Sequence, residues 1–238
     1  MFKLDSPFMN FLNKVCDIMI LNFLVLICSL PIVTFGAAIT AGYYISYKMV
    51  KNEEGYIVRG FFKAFKENFK QSTIIWLIML LVGILLYGDY KIVTDSGIEF
   101  NSWMIIGLFT VTVILGMGAT FIFPMQARFS NTVKNTIKNG FLMALSHLPS
   151  ALLCLVSLAI PLVCLYLVPQ IGPVVLLLAG GLLIYFKSML FLRIFKKYEE
   201  AIMARQQEEE DETVQDDENG DSGIFAGSEA MEKMSENK

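Results

Sequence analysis

Few side chains in this 238-residue sequence have the type and spacing to do chemistry. The single histidine, His147, stands before Leu148-Pro149 with no second ligand or nucleophile in a recognisable pattern, so it reads as a helix-end residue. The four cysteines, Cys16, Cys28, Cys154 and Cys164, form no CxxC pair and lie in apolar runs, where thiols behave as small hydrophobes. No Walker loop, HExxH or GxSxG is present. The expectation is a chain that is not an enzyme and uses no cofactor or metal. What remains are polar groups set in apolar stretches: Asp17, Asn22, Lys187 and Arg193. Charge in hydrocarbon is costly, so such groups snorkel to the interface, pair, or line an interior path. Lys187 lies about 21 Å along the run that starts at Pro173, within reach of the inner surface. Snorkelling is therefore the first reading, and an ion pair of Asp17 with Lys187 or Arg193 is the alternative.

The elements that must carry these residues follow from composition. Hydrophobic residues make up 55% of the chain and charged ones only 17%, well below the quarter usual in soluble domains. Charge is segregated. Residues 1–198 hold 16 Lys+Arg against 8 Asp+Glu, a net of +8, and residues 199–238 hold 3 against 14, a net of −11. A basic, apolar body thus precedes an acidic tail of disordered composition. A bilayer core of roughly 30 Å requires about 20 apolar helical residues. Runs that qualify lie at 72–90, 102–126, 148–168 and 173–195. The region from Ile18 to Tyr47 has no charge except at its flanks and is too long for one upright span. Pro31 and Gly36 break it into a hairpin with arms 15–33 and 37–52, Gly36 taking a left-handed turn conformation. The predicted class is all-α, a polytopic transmembrane helical bundle of six spans with cytosolic amphipathic surface helices. Without the hairpin the count is five. Lys and Arg gather in 48–70, in 128–138 and after the last span, whereas 89–101 is acidic on balance. This places the basic segments, the N-terminal segment 1–14 and the tail 199–238 in the cytosol.

Residues 56–71 are predicted to form an interfacial helix rather than a span. Val58, Phe61, Phe62, Phe65 and Phe69 share one face, and Arg59, Lys63, Lys66 and Lys70 form a stripe beside it. That pattern suits an aromatic face in the acyl boundary and a basic face on anionic headgroups, or a docking face for a partner. The segment 128–142, with Arg128, Lys134 and Lys138, has a similar character. Lys63 and Asn68 recur there as Lys134 and Asn139, a hint of duplication. Small residues four apart in the second arm (Ala37 with Ala41, Ala38 with Gly42) favour close helix contact, within the chain first and between copies as a homo-oligomer second.

Several blocks resemble the YesL-like family of bacterial membrane proteins. They are Ser6-Pro7-Phe8, Cys28-Ser29-Leu30-Pro31-Ile32-Val33-Thr34-Phe35-Gly36-Ala37, Glu53-Glu54-Gly55-Tyr56, Phe61 to Gln71, and Ala127-Arg128-Phe129. The resemblance runs over about residues 4–200 and leaves out the acidic tail. The family is mostly uncharacterised, and its members tend to be encoded beside carbohydrate uptake systems, often ABC-type sugar importers. The resemblance therefore implies a plasma-membrane protein whose partners are the lipid bilayer and sugar ABC transporter subunits, with no nucleic-acid partner. The function it implies is that of a non-catalytic accessory component of carbohydrate uptake. A small transporter or channel acting alone is the alternative.

Overall fold

The computed structural model describes residues 7–53, 55–95, 102–175, 177–201 and 203–204. They form helices and turns with no strand among them: α1 (Pro7–Ser29), α2 (Phe35–Val50), α3 (Ile57–Asp95), α4 (Ser102–Gln126), α5 (Val133–Ser146), α6 (Leu148–Val156), α7 (Ile160–Leu167) and α8 (Gly172–Ala201). The expected acidic tail from 205 onward, and residues 1–6, lie outside the described residues. By packing, the chain divides into two compact units, Met1–Phe191 and Leu192–Lys238.

α1 and α2 make the predicted hairpin. Lys14 Nζ donates to Asn52 Oδ1 at 2.9 Å, and Gly42 faces Val25, so the arms run antiparallel about the Pro31 turn. The turn itself is not built as expected. Gly36 is the second residue of α2 and helical. The reversal is made by the 3-10 turn Ile32–Thr34, where Thr34 Oγ1 donates to the carbonyls of Cys28 (2.6 Å) and Pro31 (2.8 Å). Gly36 is small for a different reason: a Cβ there would stand 2.6 Å from both Ser72 O and Trp76 Cβ of α3. The residue that takes the left-handed conformation is Asn52, φ 53°, one of the few side chains that tolerates it.

α3 departs most from expectation. The predicted surface helix 56–71 and span 72–90 are one helix of 39 residues, about 58 Å long. Nothing between Lys70 and Thr73 breaks a helix, so the backbone continues unbroken across the change from charged to apolar sequence. The first half of α3 lies antiparallel to α2, with Gly60 against Ile45, Ser72 Oγ donating to Thr40 Oγ1 (3.0 Å) and Trp76 Nε1 donating to Ile32 O (2.7 Å). Its buried residues, Phe61, Ala64, Ser72, Thr73 and Ile75, all fall in that half. From Leu77 on, the helix exposes Leu81, Ile84, Leu85, Tyr87 and Tyr90.

α4 pairs with α3 in the opposite sense and repeats the division. Met117 to Ala127 are buried except Ala119 and Thr120, while Trp103 to Val111 are mostly exposed. α5, capped by Thr132 Oγ1 on Asn135 N–H, folds back along the packed end of α4, with Gly140 against Ile122 and Phe141 against Gly118. It is thus a separate short helix, unlike the basic half of α3 that it resembles in sequence. The run 148–168 is two helices. Pro161 supplies no N–H and its ring opposes the carbonyl of Ser157, so residues 157–159 form turns. Among the described residues, five stretches are long and apolar enough to cross a membrane: Phe8–Ser29, Ile57–Asp95, Ser102–Gln126, Leu148–Leu167 and Gly172–Ala201. The expected span 37–52 is not among them. It is α2, 16 residues or about 24 Å long, and its apolar face is covered by protein, with Ala37, Ala38 and Ala41 wholly buried. The small residues predicted to mediate contact are therefore used inside the chain.

Candidate functional site

The intramembrane polar residues separate into different environments. Asn22, 2% exposed, accepts the Gly181 N–H on its Oδ1 at 2.9 Å and so ties α1 to α8. The contact requires glycine, because a Cβ on Gly181 would lie 2.6 Å from the Ile18 carbonyl oxygen. Asp17 is half-buried on α1, in electrostatic contact with Lys14. Lys14 in turn sits 5.6 Å over the Tyr185 ring. Lys187 is 7% exposed and does not snorkel.

The hypothesised ion pair between Asp17 and Lys187 is not formed. α8 turns Leu178, Leu182 and Tyr185 toward α1, and Lys187 follows Tyr185 by about 200° around the helix. Lys187 instead joins Gly180, Leu183 and Ile184 on the wall of an inner cavity. Arg193 is exposed and belongs to the second unit, where Ile194 and Phe195 are buried and Lys196 stands 3.7 Å from Glu200.

The cavity has a volume of about 480 Å³ and is shared by α1, α2, α3, α4, α6 and α8. Its lining is overwhelmingly apolar: Trp76 and Met79 of α3, Phe123 of α4 and Leu155 of α6 are typical. The polar groups that reach it are Asn22, Ser29, Tyr43, Thr120 and Lys187. A mostly apolar concavity with a few convergent polar groups is the usual form of a small-molecule site. Lys187 was read from the sequence as an intramembrane charge. Trp76, Ser29 and Thr120 carried no signal there, because only packing brings them together.

The basic residues of 56–71 and 128–142 lie on two helices and the turn between α4 and α5. Arg59, Lys63, Lys66 and Lys70 are exposed along the first half of α3, with Lys63 Nζ 4.0 Å from Glu67 Oε1. The aromatic stripe does not lie together in lipid. Phe61 is wholly buried, Phe65 is half-buried, and Phe62 and Phe69 are exposed at about two-fifths of their surface. The reason is α2, which occupies one side of the same stretch. Lys134 and Lys138 are exposed on α5, and Arg128 is half-buried in the turn after α4. Beneath these charges runs a polar network that sequence reasoning missed. Gln126 Nε2 donates to Asn68 Oδ1 (3.4 Å), Thr136 Oγ1 donates to Gln126 Oε1 (3.0 Å), and Gln71 Nε2 donates to Asn131 O.

Comparison with known proteins agrees with the motifs. Residues 18–90 match the model of a family described as "Protein of unknown function, DUF624". That stretch holds most of α1, all of α2 and α3 to Tyr90. Over 118 residues the chain is 26% identical to "Uncharacterized protein YesL" of Bacillus subtilis (strain 168), covering 49% of this chain and 54% of that protein. The two matches support a YesL-like family of uncharacterised proteins. The chain spans about half the length of the curated relative it matches, and the family model covers a shorter stretch than the motifs. No solved structure matches the chain.

Proposed function

We propose that the chain is a non-catalytic integral protein of the bacterial plasma membrane that serves as an accessory component of an ABC-type carbohydrate uptake system. The observation that carries this reading is the form of α3. One rigid helix presents Arg59, Lys63, Lys66 and Lys70 on an exposed face and continues directly into an apolar half. A partner bound to that face would be held at a fixed angle to the bilayer. The sugar-uptake part of the reading comes from the YesL-like resemblance, not from the geometry. Co-purification of the tagged chain in mild detergent tests it. Sugar importer subunits should accompany the native chain and be lost when the four basic residues are changed to Gln. A chain that purifies alone and drives solute flux in liposomes would replace this reading with that of a small transporter, the second function, which the inner cavity favours.

The same proposal includes an orientation. Lys14 and Asn52 meet at one end of the α1–α2 hairpin, so the chain enters and leaves the hairpin on one side, whatever its depth. Lys48, Arg59, Lys63, Lys66, Lys70, Lys134 and Lys138 mark that side as cytosolic. The turn meets α3 at Trp76, and about 20 Å of apolar helix follows before Asp89. We therefore read the hairpin as re-entrant, in place of two of the six expected crossings. A cysteine at Ile32 should resist a membrane-impermeant maleimide added outside; ready labelling there would restore the six-span arrangement.

A further inference from the structure

We propose that the inner cavity is a binding site for an amphiphilic anion: a single carboxylate-type charge on an apolar chain, with the charge held by Lys187. Lys187 is more than nine-tenths buried, lines the cavity, and forms none of the salt bridges seen among the described residues. Among the described residues, its electrostatic neighbour is Cys154, a buried thiol. A thiol does not balance an ammonium. A mostly buried ammonium without a counter-charge beside it is expensive, and such residues persist where a ligand or pathway uses them.

A second unpaired polar atom lies elsewhere in the cavity wall. Ser29 Oγ is buried without a hydrogen-bond partner, and it lines the cavity as Lys187 does. α1 and α8 run antiparallel through the Asn22–Gly181 contact, so Ser29 lies about 20 Å along the axes from Lys187 and cannot share its anion; the charge is held by Lys187 alone. The rest of the lining fits an alkyl chain. Along α4 it extends from Gly116 to Pro124, about 12 Å, and adds Leu155, Leu158, Leu183 and Ile184. A free inorganic anion would leave that apolar surface unfilled, and a neutral lipid tail would leave Lys187 unpaired. This inference does not depend on a role in carbohydrate uptake.

Trp76 lines the cavity and gives a direct readout. The other tryptophan, Trp103, is 78% exposed and is removed by Trp103→Phe. In nanodiscs of zwitterionic lipid, brominated decanoate should quench Trp76 saturably. Brominated decanol of the same length should need at least about tenfold more, the scale of one charge-assisted contact. Lys187→Met should abolish that preference, and Lys187→Arg should keep it. Lys187→Met should also unfold at the same temperature as the native chain or higher, since it removes an uncompensated charge. Equal quenching by acid and alcohol, or quenching that rises without saturation, would overturn the site. So would a Lys187→Met chain that is less stable, which would mean that Lys187 has a structural partner. Nanodiscs containing phosphatidylglycerol distinguish the source. Competition with the probe identifies a membrane lipid as the natural anion, and no competition identifies a free amphiphile.

Discussion

The two halves of α3 share one backbone and have opposite relations to their surroundings. Ile57 to Trp76 carries the charges, yet it is this half that packs into the protein, against α2, α4 and α5. Leu77 to Asp95 is nearly all apolar until Asp89, yet none of its residues is buried. In water that distribution would be inverted, because exposed contiguous apolar surface is avoided. A bilayer would solvate an apolar surface of this kind. α4 repeats the division, with its packed end beside Asn68 and its exposed end at Trp103. The charge boundary at Lys70–Ser72 therefore lies just before burial ends at Ile75, on one continuous helix.

A charge placed in each half should break the symmetry of the helix most visibly. Leu81→Lys puts an ammonium in the middle of the outer half at a cost of about 3 kcal/mol for membrane insertion. It should sharply reduce the fraction of chain that resists carbonate extraction. Phe69→Lys, within one turn of the boundary and already beside Lys66 and Lys70, should leave that fraction nearly unchanged. Equal loss in both would mean that the halves share one solvent.

Glycines separate the halves by packing rather than charge. Gly36 is pressed against the backbone of α3 at Ser72, and a Cβ there would stand 2.6 Å from its carbonyl oxygen. Gly36→Ala should lower stability in detergent by about 1–3 kcal/mol, because backbone cannot yield as a side-chain tip can. Gly83, in the outer half, has no neighbour within 4 Å of an added Cβ. Gly83→Ala should be neutral or gain roughly 0.5–1 kcal/mol from helix propensity. Thermal unfolding of both variants in one detergent decides the point. A large loss at Gly83 would indicate that the outer half is packed against something.

Much of this division was legible in the residues. The apolar runs at 72–90 and 102–126 locate the outer halves, since a missing charge is a local property. The α1–α2 hairpin was legible through Pro31, but not its depth, because the depth depends on which part of α3 lies beside it. Gly36 illustrates the limit. A glycine after a proline reads as a turn, and only the tertiary contact with Trp76 shows that space, not φ, required it. Asn22 stood out as a polar residue in an apolar run, while its partner Gly181 is 159 residues away. Lys187 was visible as a charge, but a helical wheel cannot distinguish a residue facing headgroups from one facing a cavity.

Beside the inner half of α3 lies a buried polar contact between α4 and α5. Thr136 Oγ1 reaches Gln126 Oε1, and Gln126 is 4% exposed. Thr136→Val keeps the shape and removes the donor. It should cost about 1 kcal/mol, the net value of one buried hydrogen bond, measured as a shift in the unfolding midpoint. A change within error would mean that water reaches Gln126 and replaces the hydroxyl.

The smallest expected effect carries the sharpest test of where the boundary lies. Lys63 and Glu67 are an i,i+4 pair at 4.0 Å, both more than half exposed. If the inner half of α3 faces water and headgroups, Glu67→Gln removes a screened surface contact and changes stability by less than about 0.5 kcal/mol. If that half instead lay in hydrocarbon, the same substitution would strand the Lys63 ammonium without its counter-charge. The cost would then rise to several kcal/mol. The pair therefore reports its solvent through the size of its own contribution: a small loss in detergent and in liposomes alike keeps the boundary near Ser72, and a large loss in liposomes alone would move it toward Ile57.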